Sequence, residues 1–269
     1  MGTTVWNGML GLLLPRGCAG CDMPDEVLCP ECRALFRKHV TLPLGGSPTG
    51  TVTGTGAETI AGTGAAPSTA TSTTTHPVAI TAGGAYQGRV RRAILSWKDH
   101  GDTECDRAFA QICRELAREA VAGGTAKLGM ASNGATCIVA PAPILVIPAP
   151  SSPQSMRARG RRHLWPLAKA IASELAYGGA QSCAVNALGI SRVHGKAVET
   201  NNASGRAARL KERLEVADPG LIAGKSVLIL DDIVTTGTTM RRCAEAIRGA
   251  GGQVIGGIAL AAVPPPDEL

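Results

Sequence analysis

The sequence predicts an α/β fold: a mostly parallel sheet with helices on both faces, preceded by a small N-terminal module built on cysteines. Three observations lead there. From residue 86 onward, short apolar runs alternate with stretches of helical periodicity, the pattern of parallel strands joined by crossover helices. The apolar run Val227–Leu230 ends in two carboxylates, Asp231 and Asp232, and leads into Thr235, Thr236, Gly237, Thr238 and Thr239. Near the start, Cys18, Cys21, Cys29 and Cys32 stand as two CxxC pairs separated by seven residues.

Before the first cysteine, Val5–Leu14 is short and mildly apolar. No Lys or Arg precedes it and no small-residue cleavage site follows, so a signal peptide is not expected. Gly2 lacks the downstream Ser or Thr of a myristoylation site, Trp6 standing there instead. No apolar run approaches the roughly 18 residues of a membrane span, which makes the cytoplasm the default location. There, nine cysteines argue for metal binding rather than a disulfide framework. Each CxxC turns two thiolates onto one point, and two such pairs form the tetrahedral S₄ site that suits Zn²⁺. Met23-Pro24-Asp25 supplies a tight turn between them. Unliganded thiols are the bland alternative. A redox pair would need a CxxC at the start of a helix within a βαβ pattern, absent here. A segment of about forty residues cannot build its own core, so the metal would supply folding energy. Arg33, Arg37, Lys38 and His39 keep a nucleic-acid contact open beside a purely structural role.

Residues 45–83 are dominated by Gly, Thr, Ser, Ala and Pro, with Glu58 the lone acid and no Lys or Arg. This reads as a flexible linker between a cysteine module at 1–44 and a domain at 84–269. After Tyr86 a helix is predicted with Val90, Ile94, Leu95 and Trp97 inward and Arg89, Arg91 and Arg92 outward. It ends at Lys98-Asp99-His100-Gly101, where basic residues answer the helix dipole. A second helix spans about 103–121, with Phe109, Ile112, Cys113, Leu116 and Ala120 recurring at helical spacing. A Gly-rich insert covers 122–135. Ile144–Ile147 is a buried strand closed by Pro148-Ala149-Pro150. The following loop carries Arg157, Arg159, Arg161 and Arg162, which suits a pyrophosphate or nucleic-acid phosphate, or else only solvent. His163 and His194 read as ordinary surface residues. A helix through Leu164, Leu167, Ala168, Ile171 and Leu175 follows, then a strand over 183–188. The stretch from Arg192 to Ala203 reads as a loop able to close over a ligand. A basic helical stretch occupies 207–214. The signature strand comes next, its helix runs to Arg248 with a Gly249/Gly251 stop, and a last strand covers 254–262.

The segment from Val227 to Met240 carries the chemistry. A loop at the carboxyl end of a parallel strand and at a helix N-terminus is where open α/β sheets bind ligands. Unpaired N–H groups and the dipole favour a phosphate there, and Gly237 permits close approach. The two acids can accept hydrogen bonds from a vicinal diol, or hold Mg²⁺ through water. One loop thus has parts for a sugar phosphate. A Walker B reading of LILDD would need a GxxxxGK[ST] loop. The nearest segment, Gly220–Ser226, has three residues between its glycines and precedes a strand instead of following one. A plain βα turn with capping threonines leaves the paired acids unexplained. The formal charge of +6 and pI of about 9.0 fit an anionic ligand or nucleic acid. Aromatic residues at 3% argue against a single-strand binder built on stacking platforms.

These residues resemble the phosphoribosyl-pyrophosphate (PRPP) signature of the type I phosphoribosyltransferases: four apolar residues, two acids, two apolar residues and a Thr/Gly-rich phosphate loop. The whole chain is similar to the ComF competence-protein family. The features behind that likeness are the cysteine module at Cys18–Cys32, the Tyr86–Lys98 helix, the Pro148–Gly160 strand end with its Arg-Gly step, and the signature at Val227–Thr239. It departs where that family has Phe-Asn-Gln and this chain has Arg161-Arg162-His163. The resemblance implies a type I phosphoribosyltransferase-like fold, structural Zn, Mg with PRPP, a cytoplasmic location and a link to DNA uptake in natural transformation. In the relatives that act on 6-oxopurines an Asp stands where this chain has Thr235, which disfavours that acceptor class. Three functions stay open: a phosphoribosyltransferase of unknown acceptor, a PRPP-binding regulator without turnover, and a DNA-uptake scaffold that binds single-stranded DNA or a helicase.

Overall fold

A computed structural model describes residues 16–44, 78–122, 143–192 and 212–264. Expectations for 1–15, most of the linker (45–77), the Gly-rich insert and the loop holding His194 lie outside the described residues. In chain order the elements are α1 (Pro30–Ala34), a 3₁₀ turn (Leu35–Arg37), β1 (Val40–Pro43), β2 (Ala79–Ala82), α2 (Gly88–Asp99) and α3 (Cys105–Ala122). Then follow β3 (Ile144–Pro148), α4 (Pro153–Arg159), α5 (Leu164–Tyr177), β4 (Ser182–Ala184), β5 (Leu188–Arg192) and β6 (Glu212–Val216). The last four are α6 (Pro219–Ile222), β7 (Ser226–Val234), α7 (Thr238–Gly249) and β8 (Gln253–Ala262).

Six strands form one sheet in the order β1-β2-β8-β7-β3-β4, parallel except for β1 against β2; β5 and β6 make a separate antiparallel pair. Val227, Leu228, Ile229 and Leu230 are all buried, so β7 is covered on both faces, as side chains alternate along a strand. Helices α3 and α5 pack on each other, α3 on β8 and α5 on β3, while α7 packs on β7 and β8. The helical stripes read from sequence are buried except at Leu95, which is only half-buried: Val90, Ile94 and Trp97 on α2, Phe109, Ile112, Cys113, Leu116 and Ala120 on α3, and Leu164, Leu167, Ala168, Ile171 and Leu175 on α5.

Three readings are corrected. The linker does not reach 83, because Ala79–Ala82 is a strand inside the main sheet. Its four small or apolar residues were indistinguishable from the Thr/Ala-rich run before them. Residues 212–214 belong to strand β6, not to a helix: Leu214 and Val216 pack on the core at a period of two. The loop after Pro150 contains helix α4. Ser152 caps it, its Oγ accepting from Ser155 N–H at 3.1 Å, Pro153 opens it, and Gly160 closes it at φ 66°.

The cysteine module is joined to the sheet rather than divided from it. β1 pairs with β2 over four residues. Arg33 donates to Gln111, Arg37 to Glu115, and His39 stands 3.8 Å from Glu119. Those three partners lie four residues apart, on one face of α3. Phe36 meets Phe109 edge-on at 5.5 Å, and Phe109 meets Trp97 at 4.9 Å. Gly83 sits at this junction, where a Cβ would fall 2.7 Å from the Leu260 carbonyl oxygen and 3.0 Å from that of Phe36. Both obstacles are backbone, so Gly83→Ala is expected to cost about 1–3 kcal/mol by overpacking. Thermal unfolding checks this, and a midpoint equal to wild type would contradict it.

Candidate functional site

The site forms where β7, β3 and α2 end on one edge of the sheet. Pairing of Pro148 with Leu230 places the Ala149–Ser152 turn beside Asp231, and Ala149 N–H donates to the Leu230 carbonyl at 2.7 Å. Gly237 caps α7 at φ 70°, a left-handed conformation natural to glycine, and among the described residues no side chain bonds the first-turn N–H groups of the helix. Thr235, Thr236, Thr238 and Thr239 are exposed around them, with Thr236 and Thr238 hydroxyls 2.8 Å apart and Arg241 donating to Thr238. A cleft of about 370 Å³ opens here, walled by Asp231, Asp232, Thr235 and Thr239 on one side and by Ser151, Ser152, Ser155 and Arg159 on the other. Lys98, His163 and Tyr86 complete it.

The two acids differ sharply. Asp232 is 5% exposed, and its Oδ2 receives both Lys98 Nζ at 2.6 Å and His163 Nε2 at 2.8 Å. Arg159 approaches His163 Nδ1 at 3.3 Å. A guanidinium only donates, so Nδ1 accepts and Nε2 carries the hydrogen given to Asp232. Burial pushes Asp232 up, but the His163 hydrogen bond and the Lys98 charge outweigh it and hold the carboxyl at about 2. Asp231 accepts only the Asp232 N–H, at 2.9 Å, among the described residues. Burial, then the neighbouring Asp232 charge, push it up to about 8. The two environments push the paired carboxyls in opposite directions, Asp231 towards the protonated form and Asp232 towards the charged one.

Residues 165–267 match the family model described as Phosphoribosyl transferase domain. The matched part runs from α5 through β8 and contains the acidic pair and the threonine loop. Solved structures similar to the chain include an allosteric regulatory enzyme of purine biosynthesis (19% identity, covering 60% of this chain and 26% of that one, TM-score 0.29). Another is a glutamine PRPP amidotransferase from B. subtilis (19% identity, 57% and 26% covered, TM-score 0.30). A third is a hypoxanthine phosphoribosyltransferase from Staphylococcus aureus (18% identity, 60% and 66% covered, TM-score 0.30). The chain thus spans 26% of the length of the first two structures and 66% of the third. No curated protein matches it.

The matched segment does not include the four arginines read as anion contacts, and the structure separates them. Arg159 lines the cleft and also pairs with Asp99 at 3.3 Å. Arg161 turns inward, bonding both oxygens of Asp106 at 2.8 Å and the Trp97 carbonyl at 3.3 Å, with its guanidinium over the Trp97 ring. Arg162 lines a neighbouring pocket of about 210 Å³ with Trp165, Asn186 and Ile190. Arg157 lines neither. His163 corrects the sequence reading: far from being a surface residue, it is 2% exposed on Asp232 and stacks edge-on against Trp97 at 5.0 Å. Lys98, read as a dipole partner, reaches the same carboxylate. The segment Gly220–Ser226 lies before β7, at the end away from the acids.

The four cysteines converge. Their sulfurs all lie within 4.8 Å of one another, and Cys21 and Cys29 are 3.6 Å apart. Backbone N–H groups of Gly20 and Cys29 point at Cys18 Sγ, and that of Cys32 points at Cys29 Sγ. Burial pushes the Cys18 thiol up, yet these N–H bonds bring it down to about 7. Such a set fits a tetrahedral Zn²⁺ held by four thiolates with N–H donors behind them.

Proposed function

We propose that the cleft binds PRPP or a closely related sugar phosphate, and that the chain is a ComF-type phosphoribosyltransferase-like protein. One observation carries the reading: the acid pair stands beside a helix N-terminus whose first-turn N–H groups no described side chain bonds, ringed by threonines and sharing an edge with the Ala149–Ser152 turn. The 5-phosphate would take the N–H groups of α7 and the hydroxyls of Thr235, Thr236, Thr238 and Thr239. The ribose hydroxyls would meet Asp231 and Asp232. Pyrophosphate would lie along Ser151, Ser152 and Arg159. As positive charge develops at ribose C1, the Asp232 carboxylate stabilises it, held in place by Lys98 and His163. Mg²⁺ entering with the ligand would be held beside Asp231, whose carboxyl is not committed to a basic partner, and would neutralise departing pyrophosphate.

The non-catalytic regulator reading is favoured by what the cleft lacks. Position 235 is Thr, and the imidazole of His163 is engaged on both nitrogens. Among the described cleft residues no free base faces an acceptor. The link to DNA uptake rests on the ComF resemblance. Of the basic residues that left a nucleic-acid contact open beside the cysteines, Arg33, Arg37 and His39 face α3, so a DNA or helicase contact through them would compete with that ladder.

Calorimetric titration of PRPP with Mg²⁺ tests the site. Binding to wild type and its loss in Asp231→Asn/Asp232→Asn are expected. Arg159→Ala should weaken binding on the order of tenfold through the lost charge-assisted bonds. Arg161→Ala should leave affinity near wild type, because its bonds are internal. No binding by folded wild type would sink the reading. Steady-state turnover with candidate bases then separates enzyme from regulator.

A further inference from the structure

Helix α2 touches the cysteine site at one end and the acidic pair at the other. At its first turn the Cys18–Cys21 knuckle packs so closely that a Cβ on Gly20 would lie 2.7 Å from Cys32 Sγ and 3.2 Å from the Arg89 carbonyl oxygen. Arg92 pairs with Asp22, the residue after the knuckle, which is held at φ 62°. The chain entering the knuckle is tied near the far end of the same helix, where Arg16 bonds both oxygens of Asp102 at 2.6 and 2.7 Å. At the last turn Lys98 holds Asp232, Asp99 holds Arg159, and Trp97 stacks on His163. Between these ends Val90, Ala93, Ile94 and Trp97 are buried, so the helix cannot slip without disturbing the core. Twelve residues at about 1.5 Å each form a stiff strut, which transmits displacement instead of absorbing it.

We propose that metal occupancy of Cys18, Cys21, Cys29 and Cys32 and sugar-phosphate binding at Asp231/Asp232 are coupled through α2. This rests on the PRPP reading above. Metal in the knuckle fixes Asp22 and Arg16, hence both ends of α2, hence the Lys98 ammonium and the His163 ring that keep Asp232 charged and aimed. Loss of the metal releases those ties. Coupling between two binding equilibria is reciprocal, so PRPP must tighten the metal by the factor by which the metal tightens PRPP.

The test reads zinc affinity of the loaded, folded chain against a zinc-selective chromogenic chelator, with and without saturating PRPP and Mg²⁺. Zinc is expected to be held about fivefold or more tightly with PRPP present. Arg92→Gln, which leaves the cysteines and the cleft intact, should bring that ratio towards one. Asp231→Asn/Asp232→Asn in the same PRPP concentration measures zinc captured by free PRPP and corrects for it. A ratio of one in wild type that binds PRPP overturns the coupling while leaving the PRPP site standing. A ratio equal to wild type in Arg92→Gln and again in Arg16→Gln overturns the route through α2. If the zinc-loaded wild type binds no PRPP at all, the functional reading falls and the coupling with it.

Discussion

Asp231→Asn is expected to raise the thermal stability of the unliganded protein at pH 8, while Asp232→Asn, the same chemical change one residue on, is expected to lower it. Asp231 is pushed up to about 8 in the folded state by burial and by the charge beside it, against about 3.9 in an unfolded chain. Between those values the folded state holds a proton that the unfolded state has released, so stability falls as pH rises through that window. An Asn carries no such charge. The variant should gain on the order of 1–3 kcal/mol at pH 8, with the gain fading towards pH 4, where both states are protonated. Asp232 behaves oppositely. Its carboxyl is held at about 2, so it contributes stability that is present above pH 4 and lost as pH falls towards 2. Asn at this position leaves the Lys98 ammonium, 21% exposed, without its anion. Removing one partner of a buried pair costs about 3–5 kcal/mol, and the partial access of Lys98 to solvent brings the loss below that range, to about 2–3. Thermal melts of the two single variants at pH 5 and pH 8 decide the matter. Equal shifts of the same sign would show that the two acids share one environment. A stabilised Asp231→Asn that no longer binds PRPP would mean that the site keeps a strained acid for its ligand at the expense of the empty fold.

What could be read in the sequence follows from how local each signal is. The stripes on α2, α3 and α5 and the strands β3, β7 and β8 are local patterns of burial, legible because periodicity reports which face is covered. The threonine loop and the cysteine pairs were legible because each places its chemistry within a few consecutive residues. His163 and Lys98 were not. His163 is sixty-nine residues from Asp232 in sequence, and only the packing of α2 and α5 onto the sheet brings Lys98, His163 and Asp232 together. Arg161 shows the converse. Four arginines within six residues look alike in sequence, yet Arg159, on the last turn of α4, faces the cleft, while Arg161, beyond the left-handed Gly160 that ends the helix, turns onto Asp106 and Trp97. The Ala79–Ala82 strand was hidden for a compositional reason: Ala and Thr in a Thr/Ala-rich tract carry no contrast until a neighbouring strand pairs with them.

Chelation of the metal, or Cys18→Ser, is expected to produce the largest stability loss of any change discussed. Zinc–sulfur bonds of about 2.3 Å at tetrahedral angles set sulfurs about 3.8 Å apart, and Cys21 and Cys29 stand at 3.6 Å. Without a metal, burial pushes the Cys29 and Cys32 thiols up, and the cluster has no counter-charge to hold thiolates together. With it, four thiolates close the loop from Cys18 to Cys32 around one ion. Zinc-finger peptides draw about 10–16 kcal/mol of apparent binding energy from such a site at pH 7. Here the module also leans on the main core, so the observable loss is smaller but still several kcal/mol. Leu28 and Phe36 are each 1% exposed. Once the knuckles open, Phe36 leaves Phe109, β1 loses its frame on β2, and the Arg33–Arg37–His39 ladder on α3 comes apart. Metal analysis of the purified chain should return one zinc per molecule. Cys18→Ser should return less than one, with a thermal midpoint lowered by roughly 10 °C or more, given about 2–4 °C per kcal/mol at this size. Cys183→Ser, at the exposed edge strand β4, should change neither value. Binding displaces protons from the thiols, and burial pushes Cys29 and Cys32 up, so zinc affinity should weaken steadily as pH falls through the neutral range. A chain that carries no metal at neutral pH and melts unchanged in chelator would show instead that the module stands on its shared core alone.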